Sequence, residues 1–361
     1  MHQTLVIALD ARLIATRNTG DTSYWRGLIF GLSQLPHESR LLLFSNCERP
    51  GNVPEDPRFE WRHLPGRNSR WWSLVQFPVA ARKAGAHVVH TQYSLSPLVR
   101  QGGVTTIHDV SFYIGPEWFR PRDLFLLRRS IPATCRRAAR IITVSETSRK
   151  EIEKFVPAAQ GKVRVTPNAT PLERRPLDEA EAAARRARLG VPERYLLTVG
   201  TRWPRKNMAL AIESAAAAGW PLVVTGQPGW GNEPPGTAIA TGFVEEDDLN
   251  ALYMGATLYL APSWHEGFGI PILEAFSLGC PVLCGPGGAM PEVAGGAARV
   301  TSGYDKAEWV QAIQELTSQP GTLEAMRQKG LARASEYSWE QTAQRTLEVY
   351  REAAACLIPR S

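Results

Sequence analysis

His265-Glu266-Gly267-Phe268-Gly269-Ile270-Pro271-Ile272-Leu273-Glu274-Ala275 is the stretch whose reading decides the fold. Just before it, Leu258 to Ala261 has the apolar composition of a buried strand, and Pro262 and Ser263 break it. Pro271 carries the fixed φ suited to the first turn of a helix, so the spacing predicts a helix from Ile270 to Leu278, stopped by Gly279. The amides of Phe268, Gly269 and Ile270 then stand at or just before the helix start. There, unpaired N–H groups and the positive end of the helix dipole favour an anionic or hydroxyl-rich ligand. Glu266 hangs in the loop and Glu274 lies on the helix. Two ionised carboxylates facing one pocket suit a ligand with several hydroxyls, because each is a pure acceptor. From spacing alone, a strand-loop-helix connection with two solvated glutamates reads equally well.

The same strand-then-helix rhythm runs outward in both directions. Apolar runs at Leu5–Leu9, Leu41–Phe44, His87–His90, Val104–Ile107, Ile141–Val144 and Lys162–Val165 alternate with amphipathic stretches. Near-continuous apolar strands between helices predict an α/β fold with a parallel sheet covered on both faces. Two runs end in polar residues, His90-Thr91-Gln92 and His108-Asp109, at the carboxyl edge where open α/β sheets bind ligands. A histidine at a strand end is equally a structural hydrogen-bonding residue. After Leu9 the chain passes Asp10 and Arg12 to Asn18-Thr19-Gly20-Asp21-Thr22, where Gly20 just before a helical pattern either admits a phosphate or simply makes a turn. This is not the GxGxxG fingerprint of a dinucleotide oxidoreductase.

Strand-helix alternation resumes at Tyr195–Val199, Leu222–Thr225, Leu258–Ala261 and Pro281–Cys284, so the second half repeats the first. Two Rossmann-like domains facing across a cleft is the simplest arrangement. The expected division is residues 1–170, a proline- and arginine-bearing linker over 171–190, and residues 191–338. A final helix, from about 339 to 361, would pack back on the first domain. After the strand ending at Gly200 comes Thr201-Arg202-Trp203-Pro204-Arg205-Lys206-Asn207, whose three cations suit a diphosphate or form a solvated basic turn. Gly226 and Gly242 end strands in loops that could border a flat base.

With 361 residues and 43% hydrophobic content, the chain has enough mass for two cores. No run of about 18 apolar residues and no charged leader is present, which reads as a cytoplasmic protein without a membrane span. Five cysteines without metal-type spacing read as reduced thiols. Residues 1–170 carry 24 Lys+Arg against 13 Asp+Glu, and the remainder 17 against 22, so the first half is basic inside a net charge of +6. Seven arginines fall between Arg120 and Arg140, and Arg67, Arg70, Trp71 and Trp72 add cationic and aromatic surface. Such a face would suit transient docking on anionic lipid. The plainer alternative is a core helix with snorkelling arginines.

Several stretches in order resemble the retaining glycosyltransferase family usually called family four. They are Ile107-His108-Asp109-Val110-Ser111-Phe112, Ile142-Thr143-Val144-Ser145-Glu146, Val165-Thr166-Pro167-Asn168-Ala169, Val199-Gly200-Thr201 with Pro204-Arg205-Lys206-Asn207, Gly242-Phe243-Val244, His265 to Ala275, and Gly287-Gly288 with Pro291-Glu292. The resemblance implies the GT-B fold and a nucleotide-diphosphate sugar as co-substrate. By position it implies that Lys206 and Arg205 hold the diphosphate, Glu274 the ribose, and Glu266 the hydroxyls of the transferred sugar. Phe268, Gly269 and Ile270 would supply backbone contacts, His108 would reach the donor sugar, and Gly20 would lie near the phosphates. Relatives often place arginine directly after the strand-ending glycine, whereas here Thr201 intervenes, so either Arg202 or Arg205 meets the phosphate.

Breaking a sugar–diphosphate bond develops negative charge on the leaving group, which fixed cations and amide dipoles stabilise. No Asp-x-Asp occurs to hold a divalent ion, so no metal and no other cofactor are expected. The expected activity is metal-independent, retaining transfer of a hexose such as mannose, from GDP-mannose or a UDP-sugar, to a glycan, lipid-linked or small-molecule acceptor in cell-envelope polysaccharide synthesis. Nucleic acid is not an expected partner. The competing expectations are a sugar-nucleotide epimerase on the same fold and a non-catalytic sugar-nucleotide binder.

Overall fold

The apolar runs form parallel strands because each can bury both faces beneath helices. The computed structural model describes residues 4–16, 20–66, 68–229 and 236–356. Asn18, Thr19, Arg67 and residues 357–361, which figure in the sequence expectations, lie outside them. The chain divides into two compact units, one running to Asn168 and resuming at Ser338, the other Ala169–Tyr337.

In the first unit the strands are β1 (Val6–Asp10), β2 (Arg40–Ser45), β3 (Phe59–His63), β4 (Val88–Gln92), β5 (Gly103–Thr106), β6 (Arg140–Thr143) and β7 (Val163–Val165). They lie in the order β3-β2-β1-β4-β5-β6-β7, with every described pairing parallel. The second unit holds β8 (Leu196–Val199), β9 (Leu222–Thr225), β10 (Ile239–Gly242), β11 (Leu258–Ala261), β12 (Val282–Cys284) and β13 (Arg299–Val300), in the order β10-β9-β8-β11-β12-β13. These are two Rossmann-like parallel sheets. Strand order reverses beside β1 in the first and beside β8 in the second, and ligands of open α/β sheets bind at the carboxyl ends of such strands.

β3, β10 and β13 are absent from the apolar pattern of the sequence, and each sits at a sheet edge. An edge strand pairs on one side only and is partly exposed, as Phe59-Glu60-Trp61-Arg62-His63 shows, so it need not be apolar throughout.

The helices that matter for the site are α1 (Gly20–Gln34), α2 (Pro121–Arg137), α3 (Glu179–Arg188), α4 (Met208–Ala217), α5 (Glu246–Gly255), α6 (Ile270–Ser277) and α7 (Trp339–Ala355). Residues 171–190, expected as a linker, are structured within the second unit: α3 packs on α5 through buried Ala182 and Ala251, and Arg185 meets Asp248 at 2.9 Å. A proline-arginine run looks like a connector because the acidic partners of its arginines lie some 70 positions away.

In the first unit α7, capped by the Ser338 hydroxyl accepting from the Gln341 amide at 3.2 Å, lies against α1. Gly27 and Gly31 permit the approach, since a Cβ on Gly31 would sit 2.1 Å from the carbonyl oxygen of Trp339. The far end of α7 is anchored by the Tyr350 hydroxyl, 2.7 Å from His90 Nδ1, while His90 Nε2 lies 2.8 Å from the Thr106 hydroxyl.

Candidate active site

In the second unit the candidate residues gather at the ends of β8 and β11, neighbouring strands at the sheet centre. β8 runs out at Gly200, and a single turn over Pro204–Lys206 leads through Asn207 into α4. β11 runs out at Ala261, and its loop ends at Gly269, whose φ of +101° is accessible to glycine at little cost. No side chain caps the start of α6. The two loops are tied together by the Trp264 amide donating to the Arg205 carbonyl at 2.9 Å.

That tie brings three sequence-identified residues into one cluster. Lys206 Nζ is 2.7 Å from Glu266 Oε1, Arg205 Nη1 is 2.8 Å from Glu266 Oε2, and the Ser263 hydroxyl donates to Oε1 at 2.6 Å. Arg205 also donates to the His265 carbonyl. Burial opposes ionisation of Glu266, but the Arg205 and Lys206 charges and the hydrogen bonds from Lys206 and Ser263 outweigh it and hold the carboxyl far below its usual range. Two cations against one carboxylate leave the cluster net positive beside an uncapped helix start, which is an anion-binding arrangement. Arg202 is partly exposed, and among the described residues its guanidinium makes no hydrogen bond or ion pair; only its backbone is held, to Gln227 at 3.1 Å. Phe268 turns its side chain into packing against Tyr337, 5.6 Å between centroids, so only its main chain serves the loop. Ile270 opens the helix.

Glu274, 8% exposed, lies one turn further along α6. A buried carboxylate needs compensation. The Tyr253 hydroxyl donates to it at 3.1 Å, and Arg174 Nε stands 3.1 Å from its other oxygen. The Arg174 side chain is 2% exposed, also pairs with Glu246, and donates to Asn250 Oδ1 at 2.6 Å. Arg174 escaped the sequence reading, because a single arginine in a proline-rich run carries no signal of a glutamate 100 positions downstream. The Gly226 amide donates to the Gly242 carbonyl at 2.9 Å, closing the ends of β9 and β10 together, with Phe243 47% exposed beside them.

In the first unit His108 follows β5 at the carboxyl edge, its side chain 12% exposed. Burial lowers its pKa, with the Asp21 and Asp109 carboxylates opposing. Its Nε2 lies 3.4 Å from Asp21 Oδ1 and against the Gln92 side-chain amide. Asp21 is in the first turn of α1, which Gly20 opens, so the structure brings Gly20 and His108 to the same edge. His90, which the sequence also places at that edge, is fully buried and committed at both ring nitrogens to Tyr350 and Thr106. Burial and the neighbouring His108 push its pKa down to about 3, so it is a neutral structural residue. Among the described residues no cluster of His, Cys, Asp and Glu suits a metal ion.

Two family models match the chain: Glycosyltransferase Family 4 over residues 19–174 and Glycosyl transferases group 1 over residues 193–319. The O-antigen chain mannosyltransferase B of Escherichia coli is 29% identical over 313 residues, covering 81% of this chain and 79% of the relative. Among solved structures, sucrose-phosphate synthase from Thermosynechococcus elongatus superposes with a TM-score of 0.72 at 19% identity, covering 97% of this chain and 99% of the other. HepE of Anabaena, solved with UDP and glucose, gives 0.71 at 16% identity, covering 97% of this chain and all (100%) of that one. These two likenesses establish the GT-B fold.

Proposed function

We propose, for a chain that belongs to glycosyltransferase family four and is a nucleotide-sugar glycosyltransferase, that it moves mannose with retention of configuration and without a metal to a hydroxyl of a growing polysaccharide. The observation that carries the donor half is the Arg205–Lys206–Glu266 cluster beside the uncapped start of α6. Its two cations, with Arg202 nearby, supply the countercharge that the diphosphate of a nucleotide sugar requires. The mannosyl reading is supported by the likeness to the Escherichia coli O-antigen mannosyltransferase.

The roles proposed for individual residues are those the family resemblance implies. Lys206 and Arg205 stabilise the departing diphosphate, Arg202 is a second phosphate contact, and the amides at Gly269 and Ile270 add their dipoles. Glu274 accepts from ribose hydroxyls, while Arg174 and Tyr253 hold it in place. Glu266 keeps the two cations at hand and accepts from the sugar. Gly226 and Gly242 border the base. Gly20 admits a phosphate and His108 hydrogen-bonds the transferred sugar. The C1–oxygen bond breaks with its electron pair leaving on the phosphate, the acceptor oxygen bonds to C1 from the same face, and the acceptor proton passes to the departing phosphate. No side chain is required as a covalent nucleophile.

The test is incubation with GDP-, UDP- and ADP-sugars, with and without a mannose-terminated oligosaccharide. Acceptor-dependent release of nucleoside diphosphate from a mannose donor, giving an axial product linkage, is expected. Release from non-mannose donors alone would overturn the sugar. An inverted product would overturn retention, and activity lost to a chelator and restored by a divalent ion would overturn metal independence.

The acceptor is assigned to a lipid-linked glycan on an anionic membrane. No helix among the described residues is long and apolar enough to cross a bilayer, and the contact proposed is a peripheral one. α2 is buried only towards its end, at Ile131, Thr134 and Cys135; towards its start Phe125 is 58% and Leu126 38% exposed, among exposed Arg122, Arg128 and Arg129. Of the two tryptophans, Trp72 is buried against Phe77 and only Trp71 reaches the surface. Exposed apolar groups ringed by arginines match an anionic interface, where each basic side chain contributes about 1 kcal/mol. Co-sedimentation with phosphatidylglycerol vesicles at low salt, lost at high salt and in Phe125→Ser, is expected; no binding at low salt would remove this assignment.

A further inference from the structure

Around His108 the structure holds a chain of hydrogen bonds whose direction is set by chemistry. Trp25 is fully buried, and its Nε1 lies 2.9 Å from Gln92 Oε1. An indole N–H can only donate, so the Gln92 oxygen is committed to Trp25 and its NH₂ group must face the other way. There it meets two groups, Asp21 Oδ1 at 3.1 Å and His108 Nε2. The amide nitrogen has two hydrogens and no lone pair to offer, so His108 Nε2 must accept. We infer that Trp25 and Gln92 act together as positioning residues that fix His108 in the neutral tautomer bearing its proton on Nδ1, leaving Nδ1–H as the donor offered to a ligand oxygen.

The charged and titratable neighbours pull both ways, and burial decides for the neutral ring. Asp21 from α1 and Asp109 in the next position favour a cation, whereas burial disfavours it more strongly. The rings of Tyr24 and Tyr93 stand 5.0 and 5.8 Å from the imidazole, adding bulk without a competing charge. Among the described residues no group is hydrogen-bonded to Nδ1, and the side chain keeps 12% of its surface accessible. Without the Trp25–Gln92 pair, Asp21 at 3.4 Å would draw a proton onto Nε2 and turn the opposite nitrogen into an acceptor. The consequence for a sugar substrate rests on the assignment of His108 to the donor sugar above; the tautomer itself does not.

The experiment is ¹⁵N NMR of histidine-labelled, ligand-free protein between pH 6 and 8, with His108 assigned by His108→Gln. Seven histidines make the spectrum tractable. Native protein should show a bare Nε2 and a protonated Nδ1. In Gln92→Glu the new carboxylate accepts from both Trp25 and His108, so the proton should move to Nε2, the imidazole pKa should rise, and the acid limb of the kcat profile should shift upward with at least a ~10-fold loss at neutral pH. Trp25→Phe frees the amide to rotate and should give a mixture of tautomers, and it serves if Gln92→Glu does not fold. A protonated Nε2 in native protein, or an unchanged tautomer in the folded variants, would overturn the inference. The expected tautomers with unaltered kinetics would instead sink the sugar-binding role of His108 and leave the inference intact.

Discussion

Lys206→Ala is expected to lower turnover by at least about 10²-fold, because it removes a preorganised charge from the oxygen on which negative charge develops. Lys206 is held 2.7 Å from Glu266 before any substrate arrives, so the cation needs no reorganisation during reaction. The loss should fall on kcat as well as kcat/KM, since the interaction strengthens as the diphosphate departs. A structural explanation has to be separated, because removing Lys206 also strips Glu266 of one of its two cations and leaves a buried carboxylate half-compensated. Lys206→Ala combined with Glu266→Gln resolves this, since it removes the orphaned charge while leaving the cation missing. The double variant should regain thermal stability, and its turnover should remain far below that of Glu266→Gln alone, which carries the same change at the sugar contact. Single-turnover release of nucleoside diphosphate provides the measurement, and turnover near the native value in the single variant would remove Lys206 from the diphosphate.

Gly31→Leu is expected to destabilise the first unit by about 3 kcal/mol or more, at the upper end of overpacking costs. A Cβ at this position would lie 2.1 Å from the Trp339 carbonyl oxygen and 2.5 Å from its carbon, both main chain, so the two helices must separate. Separation would also unseat Tyr350, leaving His90 Nδ1 buried without its partner. Gly27 offers an internal control: there the Cβ would meet the Trp339 ring, at 2.0 Å, rather than backbone. Trp339→Ala should therefore relieve much of the damage of Gly27→Ala and little of that of Gly31→Leu. Urea unfolding and proteolysis near Ser338 report both effects. Native-like stability of Gly31→Leu would mean that α7 does not pack on α1 as closely as the structure places it.

The legible parts of this protein share a physical cause. β1, β8 and β11 lie inside parallel sheets and are buried on both faces along most of their length, so their sequences are mainly apolar and announce themselves. The start of α6 was legible as well, because Pro271 restricts the chain locally and Gly269 tolerates the turn that precedes it. β3, β10 and β13, each at an edge, carry no such run.

The sequence by itself determined the α/β alternation, the α6 turn and the identity of the charged residues near it. Tertiary structure alone decided which charges meet: Arg205 and Lys206 close on Glu266 some 60 positions away, and Arg174 comes back to compensate Glu274. The two histidines show why. In the apolar patterning alone His90 and His108 both fall at strand ends followed by polar residues, although His90 is the middle residue of β4. His90 is sealed by Tyr350, 260 positions downstream, and becomes structural, while His108 keeps an accessible ring whose proton is placed by Trp25 and Gln92. Local sequence sets backbone preference and residue chemistry, but burial and the partner across space set protonation and role, and both exist only once distant segments have packed.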